Sequence, residues 1–190
     1  INDGGVVAVY TDVTEIKRAE QALRATQGRL TGDGDVVATA KHYMGDGGTY
    51  NGVDQGETRA TRAEMITRHG AGYYTALDAG VQTVMASYSS WNDVQAGRDY
   101  GKMHGSREML TDVLKGELGF QGFIVSDWEG VQQVDPDFDQ AVVVSINAGV
   151  DMVMVPFEYE RFIASLKNAV ADGQVSRERI DDAVRRILRR

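Results

Sequence analysis

Four short, nearly continuous apolar runs, at residues 36–40, 81–87, 123–126 and 152–155, each precede a segment of helical length. Runs of this kind lack the alternation of a half-exposed strand, so they read as parallel strands covered on both faces. Strand–helix alternation repeated four times makes the chain α/β. Two architectures satisfy that pattern, an open doubly wound sheet and a (β/α)8 barrel of the TIM type. Four βα units supply half of such a barrel.

Punctuation residues support the same division. Thr61 and Glu64, in "TRAE", have the capping-box spacing that opens a helix reaching residue 79. Ser106 caps a helix over 107–118, which Gly119 stops. Helices follow at 138–148, 157–171 and 177–189, the last capped by Ser176. The glycine-rich "GDGGTYNGVDQG" and the polar stretch between residues 88 and 106 read as loops. Ahead of all this, residues 1–30 form a strand-and-helix leader, closed off by Gly28, Gly32 and Gly34, which leaves 31–190 for the half barrel. The chain lacks an initial Met and reads as a piece of something longer.

Charge narrows the partners. The net charge is −8, and residues 31–176 hold 10 basic against 21 acidic residues. That surface repels phosphate backbones and excludes nucleic acid as an expected partner, while a neutral sugar is not discouraged. No run approaches the length of a membrane span, and the N-terminus is not patterned as a signal peptide. There is no cysteine, and the three histidines, His42, His69 and His104, lack metal-ligand spacing, so no metal and no cofactor is expected. The glycine-rich loop lacks the phosphate-binding pattern, and no G-x-S-x-G nucleophile elbow is present.

In either architecture the site lies at the C-terminal ends of the strands. There stand Lys41 and His42, then Ser87 to Trp91, then Asp127, Trp128 and Glu129. Each alone has an ordinary explanation. An Asp after a strand is more often a cap, a lone His more often a hydrogen-bonded structural residue, and a Trp more often core. Their convergence on one rim singles them out, and Trp91 and Trp128 both count as rim residues on this reading.

"AKHYMGDGGT", "VMASYSSWND", "KMHGSREMLTDVLKGELGFQGFIVSDWEG" and "INAGVDMVMVP" arrive in that order. Together they resemble glycoside hydrolase family 3, the β-glucosidase and exo-β-glucan glucohydrolase family, over about residues 36–190. Residues 113–130 fit its signature stretch at every restricted position. The resemblance implies a retaining, exo-acting β-glycosidase that hydrolyses β-glucosides or β-glucans. It implies that Asp127 is the nucleophile, that Lys41 and His42 hold sugar hydroxyls, that Trp128 stacks on a sugar ring, and that Tyr88 hydrogen-bonds the nucleophile. A Lys41 ammonium near Asp127 would also favour the ionised carboxylate. The family's barrel begins with about four further strands, and its acid/base carboxylate comes from beyond the barrel or from an inserted loop. Glu129 is not offered as that acid, and "NDVQAGRDYGKMHG" is longer than the family's loop there.

The leader, "GGVVAVYTDVTEIKRAEQALR", resembles the end of a PAS sensory domain, which points to the cytoplasm, whereas family 3 enzymes are often exported. Compartment, sugar and linkage stay open. The alternative to catalysis is an interaction or signalling module with a degenerate half barrel. Half a barrel exposes strand edges, so the expected partners are a homodimer copy or a complementing chain, beside the glucoside itself.

Overall fold

The computed structural model of the protein describes residues 37–189. The leader, residues 1–30, lies outside them. Six strands are described: β1 (Thr39–Tyr43), β2 (Glu57–Arg59), β3 (Thr83–Ala86), β4 (Ser90–Asp93), β5 (Arg98–Lys102) and β6 (Phe123–Val125). β1, β3 and β6 form a parallel sheet in that order. All of β3 and β6 is buried, as expected of strands covered on both faces.

The fourth run lies beside β6 but makes one parallel bridge, Val125 to Met152, instead of a strand. Ser126 explains the shortfall. Its Oγ accepts the Met154 N–H at 2.8 Å, taking the place of a ladder carbonyl. The first strand is displaced from the expected 36–40 to Thr39–Tyr43. Its apolar anchor is Tyr43, which is fully buried and donates its hydroxyl to Met109 O at 3.0 Å. Lys41 and His42 therefore lie within the strand and not after it. A register irregularity falls between Ala40 and Tyr43, and bulges of this kind re-aim side chains beside sites.

A second sheet, order β2-β4-β5, has β4 and β5 in the polar stretch expected to be a loop and β2 just after the glycine-rich one. β2 runs parallel to β4, and β4 pairs antiparallel with β5. This sheet overturns the rim placement of Trp91. Within β4, Trp91 points into the core, is fully buried, stacks on Tyr100 with centroids 3.6 Å apart, and donates Nε1–H to Ala60 O at 2.7 Å.

The Thr61–Glu64 capping box is present, with the Thr61 N–H 2.9 Å from Glu64 Oε2 and the Glu64 N–H 3.2 Å from Thr61 Oγ1. The helix behind it is broken into Arg62–Glu64, a π turn Met65–His69 and α1 (Ala71–Asp78). The junction is Gly70, where a Cβ would lie 2.4 Å from Ile66 O. The expected helix at 107–118 is wound as a wide π helix, Glu108–Glu117, with Ser106 Oγ accepting the Met109 N–H at 3.4 Å. α2 (Phe138–Ala148), α3 (Tyr159–Ala171) and α4 (Arg177–Leu188) stand where expected, and Ser176 caps α4. The main core joins Tyr43, Met44, Trp91, Met103, Leu110, Leu114 and Ile124 between the two sheets and the π helix.

Below β6 a buried ion network ties the chain together. The Asp151 side chain is fully buried and accepts from Lys115 Nζ and the Ile124 N–H, both at 2.8 Å, and from Arg179 Nη2. Arg179 also donates to Ile146 O and Val150 O, each at 2.9 Å. Burial pushes the Lys115 ammonium down to about 8, against the pull of Asp151.

Candidate active site

β1, β3 and β6 point their C-terminal ends at one place. Asp127 follows β6 closely, and its carboxylate is bonded at one oxygen and approached by an imidazole at the other. Oδ1 accepts the Trp128 N–H at 2.7 Å, and Oδ2 lies 3.4 Å from His42 Nε2. The other His42 nitrogen, Nδ1, is 3.3 Å from Asp46 Oδ2, so one imidazole spans two carboxylates. Asp127 keeps 15% of its side chain open to solvent, enough for one reacting atom to approach.

Tyr88, just past β3, donates its hydroxyl to the Trp128 carbonyl. Burial first, and the Asp127 charge second, push this phenol up to about 12. It therefore stays a protonated donor beside the carboxylate. The Trp128 indole is half exposed at the rim and meets Phe157 edge to face, with centroids 6.2 Å apart. Such an apolar plane suits the face of a sugar ring. Lys41 is exposed on β1 and makes no ion pair among the described residues; the basic group beside Asp127 is His42. Glu129 adopts the left-handed conformation, at φ 55°, and its Oε1 accepts from Gln132 Nε2 at 3.4 Å.

The sequence matches the description "Glycosyl hydrolase family 3 N terminal domain" over residues 12–190. The chain belongs to glycosyl hydrolase family 3. Its parallel strands form part of a TIM-type barrel. Family 3 relatives include a lysosomal beta glucosidase of Dictyostelium discoideum, 35% identical over 80% of this chain and 18% of that protein. The exo-1,3/1,4-beta-glucanase ExoP of a Pseudoalteromonas species superposes with a TM-score of 0.77 at 41% identity, over 88% of this chain and 21% of that one. A beta-glucosidase from Listeria innocua gives 0.72 at 25% identity, over 82% and 21%. The chain thus spans about a fifth of the length of the relatives it matches.

Three residues of this family 3 site escape the sequence reading: Asp46, Lys102 and His104. Asp46 follows β1 in a single 3₁₀ turn, Asp46–Gly48. Lys102 ends β5, and its ammonium donates to Tyr88 O at 2.9 Å and Gln55 O at 3.0 Å. His104 sits in the next turn, Met103–Gly105, fully buried, with Nε2 accepting the Asp127 N–H at 2.9 Å. The available signal was "KMHGS", a His just before a helix cap, but nothing local says that it reaches β6.

Burial pushes the His104 imidazole down to about 4, while the Asp127 charge pulls the other way. An unfolded His takes up its proton near pH 6.5. Between pH 6.5 and 4 the unfolded chain binds a proton that the folded one refuses, so stability falls as pH drops. Urea unfolding is expected to show a loss of about 2–3 kcal/mol at His104 between pH 6.5 and 4.5. His104→Gln, which does not titrate, should remove that part of the slope; equal slopes in the two proteins would refute the assignment.

Proposed function

We propose that this chain carries the nucleophile side of a retaining, exo-acting β-glycosidase that acts on β-glucosides or β-glucans. The supporting observation is Asp127, a carboxylate at the C-terminal end of a barrel strand, bonded at Oδ1, with the His42 imidazole beside Oδ2, and still partly open. Asp127 attacks the anomeric carbon from the face opposite the leaving group. A glucosyl ester forms at the carboxylate as the C–O bond to the leaving group breaks, and water later hydrolyses that ester with net retention. The Tyr88 hydroxyl holds the Trp128 carbonyl of the turn that carries the carboxylate, His42 stands beside Oδ2, His42 and Lys41 take sugar hydroxyls, and Trp128 lies against the sugar ring.

Protonation of the leaving oxygen needs a second carboxyl about 5–5.5 Å from the nucleophile. Glu129 is engaged by Gln132 and stands next to the nucleophile in the chain, and Asp46 is engaged by His42, so the acid is assigned to another segment. The parallel sheet has β1 at one edge and residues 152–155 at the other, both without further strands among the described residues. A second copy or a complementing chain covers these edges and closes the sugar pocket.

The test uses a substrate that does not need the acid. 2,4-Dinitrophenyl 2-deoxy-2-fluoro-β-glucoside carries a good leaving group, and its fluorine slows hydrolysis of the ester. Incubated with this chain, it should deposit one fluoroglucosyl group, seen in the intact mass and mapped to Asp127 by peptide sequencing. Label on Glu129 or Asp46 would move the nucleophile, and an unlabelled chain would sink the reading.

A further inference from the structure

His104 takes no part in the reaction just described, yet it is bonded directly to the nucleophile's backbone. It stands on the turn after β5, the last strand of the second sheet, and reaches the segment that follows β6 of the first. Its ring fills the space over Gly130, where a Cβ would lie 2.4 Å from His104 Cε1. Thus no larger residue fits at position 130 with the imidazole in place. Nε2 accepts from the Asp127 N–H, so that nitrogen bears a lone pair and the ring proton belongs to Nδ1. Nδ1 is buried and makes no well-formed hydrogen bond among the described residues, only a weak attraction to the Ser87 backbone. Structural histidines normally satisfy both nitrogens. Here one is held loosely while the other is aimed at the N–H of the reactive residue.

Resting on the glycosidase reading, we propose that His104 is a positioning residue for the nucleophile: a neutral imidazole whose Nε2 lone pair anchors the Asp127 N–H and thereby sets the aim of its carboxylate. The Asp127 side chain has two soft torsions, and its Oδ1 bonds the very next N–H, at Trp128. That local bond can form in several orientations of the backbone, so it does not by itself aim Oδ2 at His42. Fixing the Asp127 peptide from outside the segment removes that freedom. The Ser126 and Glu129 contacts to Met154 hold the two flanks of the same turn, at 2.8 and 3.0 Å; between them Tyr88 holds the Trp128 carbonyl, and His104 is the group that takes the Asp127 N–H. A protonated ring would present an N–H to an N–H and break the anchor.

The test compares His104→Gln, whose side-chain oxygen can accept where Nε2 does, with His104→Leu, which fills the space without accepting. Amide hydrogen exchange by NMR is read at Asp127 and at Ile124, whose N–H is bonded to Asp151. The fluoroglucoside labelling rate is read in the same proteins. In His104→Leu, exchange at Asp127 should rise at least about 10-fold while Ile124 is unmoved, the signature of local and not global opening. Labelling should slow about 10- to 100-fold, the scale of a misplaced reacting group. His104→Gln should restore both to within about 5-fold. Unchanged Asp127 exchange in His104→Leu, an equal rise at Ile124, or a Gln variant no better than Leu would each overturn the inference. A wild-type chain that takes no label, with Asp127 exchange still responding to Leu and rescued by Gln, would refute the glycosidase reading and uphold the anchoring contact.

Discussion

Asp127→Ala removes covalent labelling by the fluoroglucoside altogether, and turnover of 2,4-dinitrophenyl β-glucoside drops by more than about 10³-fold, the scale on which a covalent nucleophile is lost. Ala is small, so the substitution leaves a hole at the spot from which the carboxylate attacked. Azide is small and anionic enough to enter it. It attacks the same anomeric carbon, the bond to dinitrophenolate breaks, and the product is the α-glucosyl azide, with one inversion in place of two. Recovery of turnover with added azide, and of that product by NMR, separates a lost nucleophile from a lost fold. Full turnover without azide would end the assignment of Asp127.

The largest stability effect is expected at Asp151, far from the reacting atoms. Asp151→Ala leaves the buried Lys115 and Arg179 with only the more exposed Asp182 carboxylate, 3.9 and 3.1 Å away, and frees the Ile124 N–H. Removing one partner of a buried charge network costs about 3–5 kcal/mol, and here Asp182 compensates the two cations only from the more exposed side, so a loss at the lower end of that range is expected. A domain of this size has only about 5–15 kcal/mol in all. Urea unfolding followed by tryptophan fluorescence measures it, since Trp91 reports from inside the core and Trp128 from the rim. A loss below about 1 kcal/mol would show that the network is solvated and contributes little. Asp151→Asn should fall between, because the amide oxygen still accepts from Ile124 or Lys115 while the charge is gone.

The two tryptophans show where sequence reasoning succeeds and where it stops. Trp128 follows a buried parallel run by two residues, and a residue in that place reaches the rim in any α/β fold. Trp91 also comes soon after such a run. It is core because β4 begins at Ser90 and pairs with β2, more than 30 residues earlier, and with β5. Strands of three to five residues leave almost no local pattern, and the β2–β4 pairing is a long-range event. The helices were more legible because their signals are local. Thr61 with Glu64, Ser106 and Ser176 each cap within a few residues, and the structure keeps all three contacts.

The Lys41–His42 pair lies in between. Its place near the site follows from the apolar run, but the three-residue shift of β1 was set by Tyr43, which seeks Met109 O some 66 residues on. The same shift brings His42 to Asp127 and leaves Lys41 exposed without an ion pair among the described residues. What the sequence alone determined was the α/β class, the helix caps and the gathering of Lys41, His42, Tyr88, Asp127 and Trp128 about the strand ends, because each is written in spacing along the chain. What only the tertiary structure decided was the second sheet, the burial of Trp91, the imidazole between Asp46 and Asp127, and the His104 anchor. Each of those depends on which distant segments meet, and contacts between residues far apart in the chain leave no period in the sequence to read.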